Sequence, residues 1–353
     1  MSTATLDLAM SPEAAAAQLL NQVATGYMVS AALQVALKLE IADRLVNGPR
    51  PVSELARDAG VHEDRLYRVL RALASVGVFE EPPTPGQAGP SRTFALNLPA
   101  RMLCKGPRSM HDMGVFITSP LHFRIYAEML HSVQTGQPAV EKVTGAPVFE
   151  FFPANPEYSA LFNNAMTAFS AAVIPAVLEA YDFSGIDVLV DVAGGHGRVL
   201  TSILQRYPAM RGVLFDLDHV VAGARPLLQA SGVADRVRTE PGDFFTAVPA
   251  GGDAYIMKHI IHDWDDEQAL TILRNIRRQL DGRPQGRVIL VESVIPADSS
   301  PNFGKLIDLE MMLMPGGRER TEAEFTSLFE RAGFSQVRVV PTQAPLWVVE
   351  ARM

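Results

Sequence analysis

A single cysteine, Cys104, stands among 353 residues. No intrachain disulfide can form, an all-cysteine metal site is excluded within one chain, and thiol scarcity fits a reducing cytoplasm. Positive charge is also short: 31 Lys and Arg stand against 39 Asp and Glu, a formal net charge of −8. Such a surface does not gather a phosphate backbone, so nucleic acid is not expected as a partner. An uninterrupted apolar run of about 18 residues, which a membrane span needs, is missing. So is the basic segment followed by an apolar one that marks a secretory signal at the N-terminus. What remains is 48% hydrophobic and 20% charged, in a chain long enough for two domains and a large core.

Ser11 and Pro12 read as an N-cap and a first helical residue, and Gly48-Pro49 ends the run, so 11–47 is expected as one or two helices. Leu19, Leu20, Val23, Tyr27, Met28 and Val35 spread apolar side chains around much of the circumference, which asks for cover by a second subunit. Over 51–81 a short helix from Val52, a turn at Gly60 and a helix over Glu63–Val76 follow one another. Leu66, Val69, Leu70 and Leu73 share one face of the second helix. A loop rich in Pro and Gly at 82–92 and a short strand from Thr93 to Leu96 complete a winged-helix layout. Arg65, Arg68 and Arg71 are offset by Asp58, Glu63 and Asp64, so dimerisation is the expected use of this scaffold rather than DNA binding. The first domain is expected over 1–108. Residues 109–180 are expected to be mainly helical, a connector whose aromatic and Met positions wall a pocket.

From 186 onward, apolar runs at 188–192, 212–216, 236–240, 253–258, 287–291, 336–340 and 346–350 alternate with helical patterns. The alternation predicts βαβ units and a mostly parallel sheet over 109–353. The last two runs are too close for a crossover and are expected as an antiparallel hairpin. Polar residues follow the carboxyl ends of five of these runs, the edge where open α/β sheets bind ligands. The stretch Leu189–Leu200 (LVDVAGGHGRVL) reads as strand, glycine turn and helix start. It lacks the third glycine of the dinucleotide fingerprint, and Asp191 before the turn fits S-adenosylmethionine instead. Asp191 is expected at the methionine end, Asp216 on the ribose hydroxyls, and Asp243 with Phe244 around the adenine.

Two further segments, Lys258–Glu267 (KHIIHDWDDE) and Pro315–Thr321 (PGGRERT), resemble the signatures of the S-adenosylmethionine-dependent O-methyltransferases of the caffeic-acid and hydroxyindole type. Bacterial members of that family decorate polyketides and other aromatic natural products. The resemblance covers nearly the whole chain. It implies a Rossmann-like, doubly wound methyltransferase sheet preceded by a helical winged-helix dimerisation domain, and a homodimer. His262 corresponds to the general base, with Glu292 and Glu319 as the acids that flank and orient it. Cofactor contacts are expected from Asp191, Gly194, Gly195, Gly197, Asp216, Leu217, Asp243, Phe244 and Lys258. Substrate contacts are expected from Phe152, Phe162, Asn163, Met166, Asp263, Asp308 and Met312. The family usually has glycine where Ala193 stands, and the methyl group permits cofactor binding if its φ is negative. No metal is required by this chemistry, and no second histidine stands at ligand spacing from His262.

Rival readings are a winged-helix regulator that binds the cofactor without catalysis, and a methyltransferase acting at carbon or nitrogen. His262 taken alone reads as a residue flanking a helix over 266–280, with Asp265 or Asp266 as N-cap and Trp264 as staple. The convergence of polar residues on one sheet edge favours the catalytic role.

Overall fold

The computed structural model describes residues 11–83, 89–106 and 109–353. The N-terminal signal reading, the middle of the 82–92 loop and the residues just before the expected boundary at 108/109 fall outside them. The chain divides into two compact units, Met1–His122 and Phe123–Met353.

In the first unit, Ser11 caps the helix Pro12–Lys38 by accepting the Ala14 N–H at 3.2 Å. Helices Val52–Ala59 and Glu63–Ser75 follow. The two short strands β1 (Arg50–Pro51) and β2 (Thr93–Phe94) pair antiparallel to make the wing. Ile41, Leu55, Leu70, Leu73, Phe79 and Phe94 are fully enclosed between these elements. Helix His111–Ile117 belongs here too, so the division falls at 122/123 and not at 108/109. The reason is local packing: Gly114 lies so close to the helix Pro12–Lys38 that a Cβ there would sit 2.8 Å from Leu37 Cδ1.

The second unit carries a seven-stranded sheet in the order β5-β4-β3-β6-β7-β9-β8. Strands β3 (Val188–Val192), β4 (Arg211–Asp216), β5 (Val237–Pro241), β6 (Ala254–Lys258) and β7 (Arg287–Glu292) run parallel. Strands β8 (Gln336–Val340) and β9 (Trp347–Arg352) are antiparallel, and β9 inserts between β7 and β8. Alternation along the strands feeds two cores. Val190, Tyr255, Met257 and Leu290 meet helices Asp266–Gln279 and Glu322–Ala332. Leu189, Leu214, Ile256 and Ile289 meet helices Pro156–Ala180 and Arg198–Arg206. Strand order reverses between β3 and β6, and this switch point opens a crevice over the carboxyl ends of the strands. Among the described residues, Pro156–Ala180 is the one helix long and apolar enough, by length and composition alone, to cross a membrane. Val173, Ile174 and Val177 on it are buried in the second core.

Candidate active site

Strand β6 ends at Lys258, and the chain then bends sharply. His259 takes φ +54°, and a single 3-10 turn over Ile261–Asp263 presents His262. Only 5% of His262 is exposed. Its Nδ1 lies 2.8 Å from Oε1 of Glu319 and 3.9 Å from Oε2 of Glu292. Glu292 closes β7, and its Oε1 accepts the N–H groups of Ile260 at 3.0 Å and Ile261 at 2.9 Å. One carboxylate therefore pins the turn while the other takes the imidazole. A carboxylate on Nδ1 selects the tautomer that leaves Nε2 free to accept a proton. Nε2 faces Asp263 Oδ1 at 3.5 Å. The three expected catalytic residues are thus brought together from two strand ends and the segment 315–321.

That segment also holds the turn itself, which sequence reasoning did not foresee. Arg318 N–H donates to the His262 carbonyl at 2.8 Å. Gly317 lies so close that a Cβ would sit 2.1 Å from the same oxygen. The Arg320 guanidinium is fully buried and donates to the carbonyls of Ile261 (3.1 Å) and Trp264 (2.9 Å) and to Asp266 Oδ1 (2.8 Å). The signal was present in the PGGRERT motif, but its backbone targets are set by tertiary structure. Asp308 is drawn into the same assembly, accepting the Glu319 N–H at 2.7 Å.

Burial dominates the electrostatics, because a charge removed from water must find compensation. Burial, with Asp308 adding to it, pushes Glu319 up to about 8. Burial pushes Asp263 to about 7 and raises Glu292, against the opposing pull of His262 on each. Burial lowers the Lys258 ammonium, against the carboxylates of Glu292, Asp191 and Asp263.

The neighbouring strand ends form a cradle. Asp191 is buried with Oδ2 unpartnered among the described residues, and burial pushes its carboxyl to about 7. Any Cβ on Gly194 would sit 2.6 Å from that carboxylate, so only glycine fits. Asp216 accepts the Gly195 N–H at 2.8 Å through Oδ2 and the Leu217 N–H at 2.7 Å through Oδ1. Gly197, at φ +86°, opens the helix Arg198–Arg206. A buried acid with a spare oxygen, a turn stripped of side chains and a second acid one strand away fit a ligand with an amino-acid end and a ribose. The condition set for Ala193 is not met: its φ is +54°, in the left-handed region. The chain keeps the backbone path that a glycine would take there and tolerates the strain of a methyl group. Asp243 is exposed, its Oδ1 accepting the Phe245 N–H at 2.8 Å. Phe244 packs edge-on to Trp264 at 5.9 Å.

Phe152 and Phe162 stack at 4.6 Å, and Phe149 stacks on Trp264 at 5.6 Å. Asn163 is exposed, while Met166 and Met312 are half-buried. A cleft of about 720 Å³ lined by Val294, Pro296, Thr321, Glu322 and Trp347 contains none of the predicted site residues.

The structure corrects the reading that no second histidine accompanies His262. The bend at His259 brings its ring onto His262, and His259, His262 and Glu292 offer ligand atoms within 4.8 Å of one another. The two rings are stacked, with centroids 4.3 Å apart and planes 28° apart. Imidazole lone pairs lie in the ring plane, so stacked rings do not converge on one ion.

Residues 126–335 match the model of an O-methyltransferase domain, and residues 21–106 that of an O-methyltransferase dimerisation domain. The phenazine O-methyltransferase PhzM of Lysobacter antibioticus is 42% identical over 335 residues, covering 95% of each chain. The 8-amino-8-demethylriboflavin N,N-dimethyltransferase of Streptomyces davaonensis is 33% identical, covering 97% of this chain and 96% of that one. The structure of CalO1, a methyltransferase in calicheamicin biosynthesis, in its SAH-bound form superposes with a TM-score of 0.84 at 32% identity, covering 98% of this chain and 99% of that one.

Proposed function

We propose a specific reaction for this chain, which belongs to the S-adenosylmethionine-dependent O-methyltransferase family: methylation of a phenolic hydroxyl on an aromatic small molecule, with His262 as general base. The observation that carries the reading is the buried Glu319–His262 contact at 2.8 Å on Nδ1, which leaves Nε2 as acceptor. Asp191, Gly194, Gly195, Gly197, Asp216, Leu217, Asp243, Phe244 and Lys258 would hold the cofactor, which supplies an electrophilic methyl group on a sulfonium. A phenol with a pKa near ~10 is mostly neutral at working pH, and its anion is the better nucleophile. His262 Nε2 takes that proton, and Glu319 and Glu292 stabilise the imidazolium that results. Phe152, Phe162, Phe149 and Trp264 offer flat faces to an aromatic acceptor. No step in this scheme calls for a metal. The unit that contains the dimerisation domain would pair two copies of the chain, and the single cysteine fits action in the cytoplasm.

His262→Ala is expected to cut turnover of a phenolic acceptor by about 10²–10⁴-fold while calorimetry finds cofactor affinity unchanged. Undiminished turnover would overturn the assignment. Nitrogen methylation is the second reading, favoured by the similarity to the riboflavin-analogue N,N-dimethyltransferase. An aromatic amine needs no prior deprotonation to attack, so His262→Ala would then cost little with an aniline acceptor.

A further inference from the structure

We infer that His259 is a positioning residue for His262, holding the base by a face-to-face stack; this rests on the reading of His262 as base. In the motif that contains His259, the resemblance implies roles for Lys258, His262 and Asp263 and none for His259. The structure gives His259 a place of its own. Its ring lies between two others, 4.3 Å from His262 with planes 28° apart and 5.2 Å from Phe169 with planes 19° apart. Its backbone sits at φ +54°, a region that strains a residue with a Cβ and persists where the surroundings impose it. The His259 N–H donates to the Val291 carbonyl at 3.1 Å, which ties the strained residue to β7. The strain delivers one thing: the ring is folded back onto the imidazole three residues ahead.

The stack covers a face of His262, a direction in which the carboxylate on Nδ1 does not restrain the ring. Glu319 holds the ring through Nδ1, within its plane, and Glu292 pins the turn that bears it, but rotation about the Nδ1 hydrogen bond is resisted by contact with a face. His259 supplies that contact, and Phe169 backs it. Nε2 of His259 is shielded from water and unpartnered among the described residues. Burial, with the charges of His262 and Lys258 adding to it, pushes the His259 imidazolium well below the usual histidine range. A neutral ring is the right neighbour for a base that becomes cationic, because its face attracts an imidazolium where a charged ring would repel it. The other titratable groups around the pair are Lys258 at the end of β6, Asp263 on the turn that bears His262, Glu292 from β7, Glu319 from the 315–321 segment and Asp308 behind it; Phe169 adds no charge.

The test uses the full-length enzyme and labelled methyl transfer from S-adenosylmethionine to a phenolic acceptor, with kcat and KM followed between about pH 5.5 and 9.5. His262→Ala is the reference for loss of the base. His259→Ala and His259→Leu both remove the flat face, and the second keeps bulk in case the first folds poorly. Both are expected to lower kcat about tenfold or more and to move the acid limb of the pH profile, with cofactor affinity by calorimetry within about twofold of the parent. His259→Phe keeps a flat neutral face and is expected to recover most of kcat and the original limb. Parent-like kcat and limb in both His259→Ala and His259→Leu would overturn the inference, as would a His259→Phe enzyme as impaired as those two. A fully active His262→Ala enzyme would defeat the base reading itself, and this inference with it. An inactive His262→Ala beside an indifferent His259→Ala would defeat the stacking role alone.

Discussion

In the proposed reaction one proton decides what His262 can do, and Glu319 controls where it sits. When Glu319 is ionised, Nδ1 carries the hydrogen and Nε2 is open. When Glu319 is protonated, its O–H donates across the same 2.8 Å contact, the ring hydrogen moves to Nε2, and Nε2 can no longer accept a proton. Burial holds this acid at about 8. Activity is therefore expected to rise with pH through that region, faster than an unperturbed histidine would give. The same shift has a stability sign. A carboxyl whose folded pKa lies above its ordinary value contributes stability below that ordinary value and loses it as pH rises through about 8. Glu319→Gln removes the buried charge. It is expected to lower kcat about 10²–10⁴-fold, since the amide can lock the wrong tautomer, and to fall less in Tm than the parent between pH 6 and pH 9. Thermal unfolding and kcat at both pH values check this; equal pH sensitivity of Tm in both proteins would refute it. At this scale the identity of the acids was legible, because Glu292 ends an apolar run and Glu319 sits in a motif. Their protonation was not legible, because it depends on burial. Ala193 shows the same limit: the sequence permits a negative φ, and only the chain path through β3 and the turn imposes +54°.

His262 rides on a turn too short to hold itself, and a second element holds it. The 3-10 turn Ile261–Asp263 closes on itself by one bond, from the Trp264 N–H to the Ile261 carbonyl at 3.3 Å, and leaves its other carbonyls to outside donors. Arg320 takes those of Ile261 and Trp264, and Arg318 takes that of His262. Arg320→Met would strip the Trp264 carbonyl of this donor and leave the Ile261 carbonyl with the Trp264 N–H at 3.3 Å, at about 1–3 kcal/mol for an acceptor left unpaired, and would break the Arg320–Asp266 ion pair. We expect urea unfolding to report a loss of about 3–5 kcal/mol, with kcat falling in the surviving folded enzyme. Gly317→Ala should do the second without all of the first. Its methyl group, 2.1 Å from the His262 carbonyl, must push the turn that bears His262 aside. A cost of about 1–3 kcal/mol in stability and a loss of kcat at unchanged cofactor affinity are expected. A Gly317→Ala enzyme with parental kcat would mean that the turn can yield without moving the imidazole. Strands and helices were read well from apolar period and caps, as Asp265 shows by capping Asp266–Gln279 with its carboxylate 2.8 Å from the Gln268 N–H. The clasp was not, because Arg320 acts through backbone carbonyls, which carry no residue type. Nor was the insertion of β9 between β7 and β8, since hairpin proximity fixes pairing but not which strand lies inside.

At the scale of the molecule, the polar strand ends and the first helix call for different partners. The crevice at the sheet's switch point lies over the ends of strands that the sequence already marked as ending in polar groups, which is why the fold and the candidate site were legible together. The first helix is the opposite case, a surface without a job inside its own unit. Leu19, Leu20, Val23, Tyr27 and Met28 are 53–73% exposed. Covering each large apolar side chain contributes about 1.5–3 kcal/mol, so five together are enough to drive association. The same unit holds the match to a dimerisation domain, and we expect the parent to sediment as a dimer. Leu20→Glu with Val23→Glu places two carboxylates on that face, and because a symmetric interface meets itself, four charges face one another in the pair. The variant is expected to sediment as a monomer with the far-ultraviolet circular dichroism of the parent, because neither side chain supports the core formed by Ile41, Leu55, Leu70 and Phe94. A variant that remains dimeric would move the interface off this helix. Loss of helical signal would instead mean that these residues are buried within their own subunit.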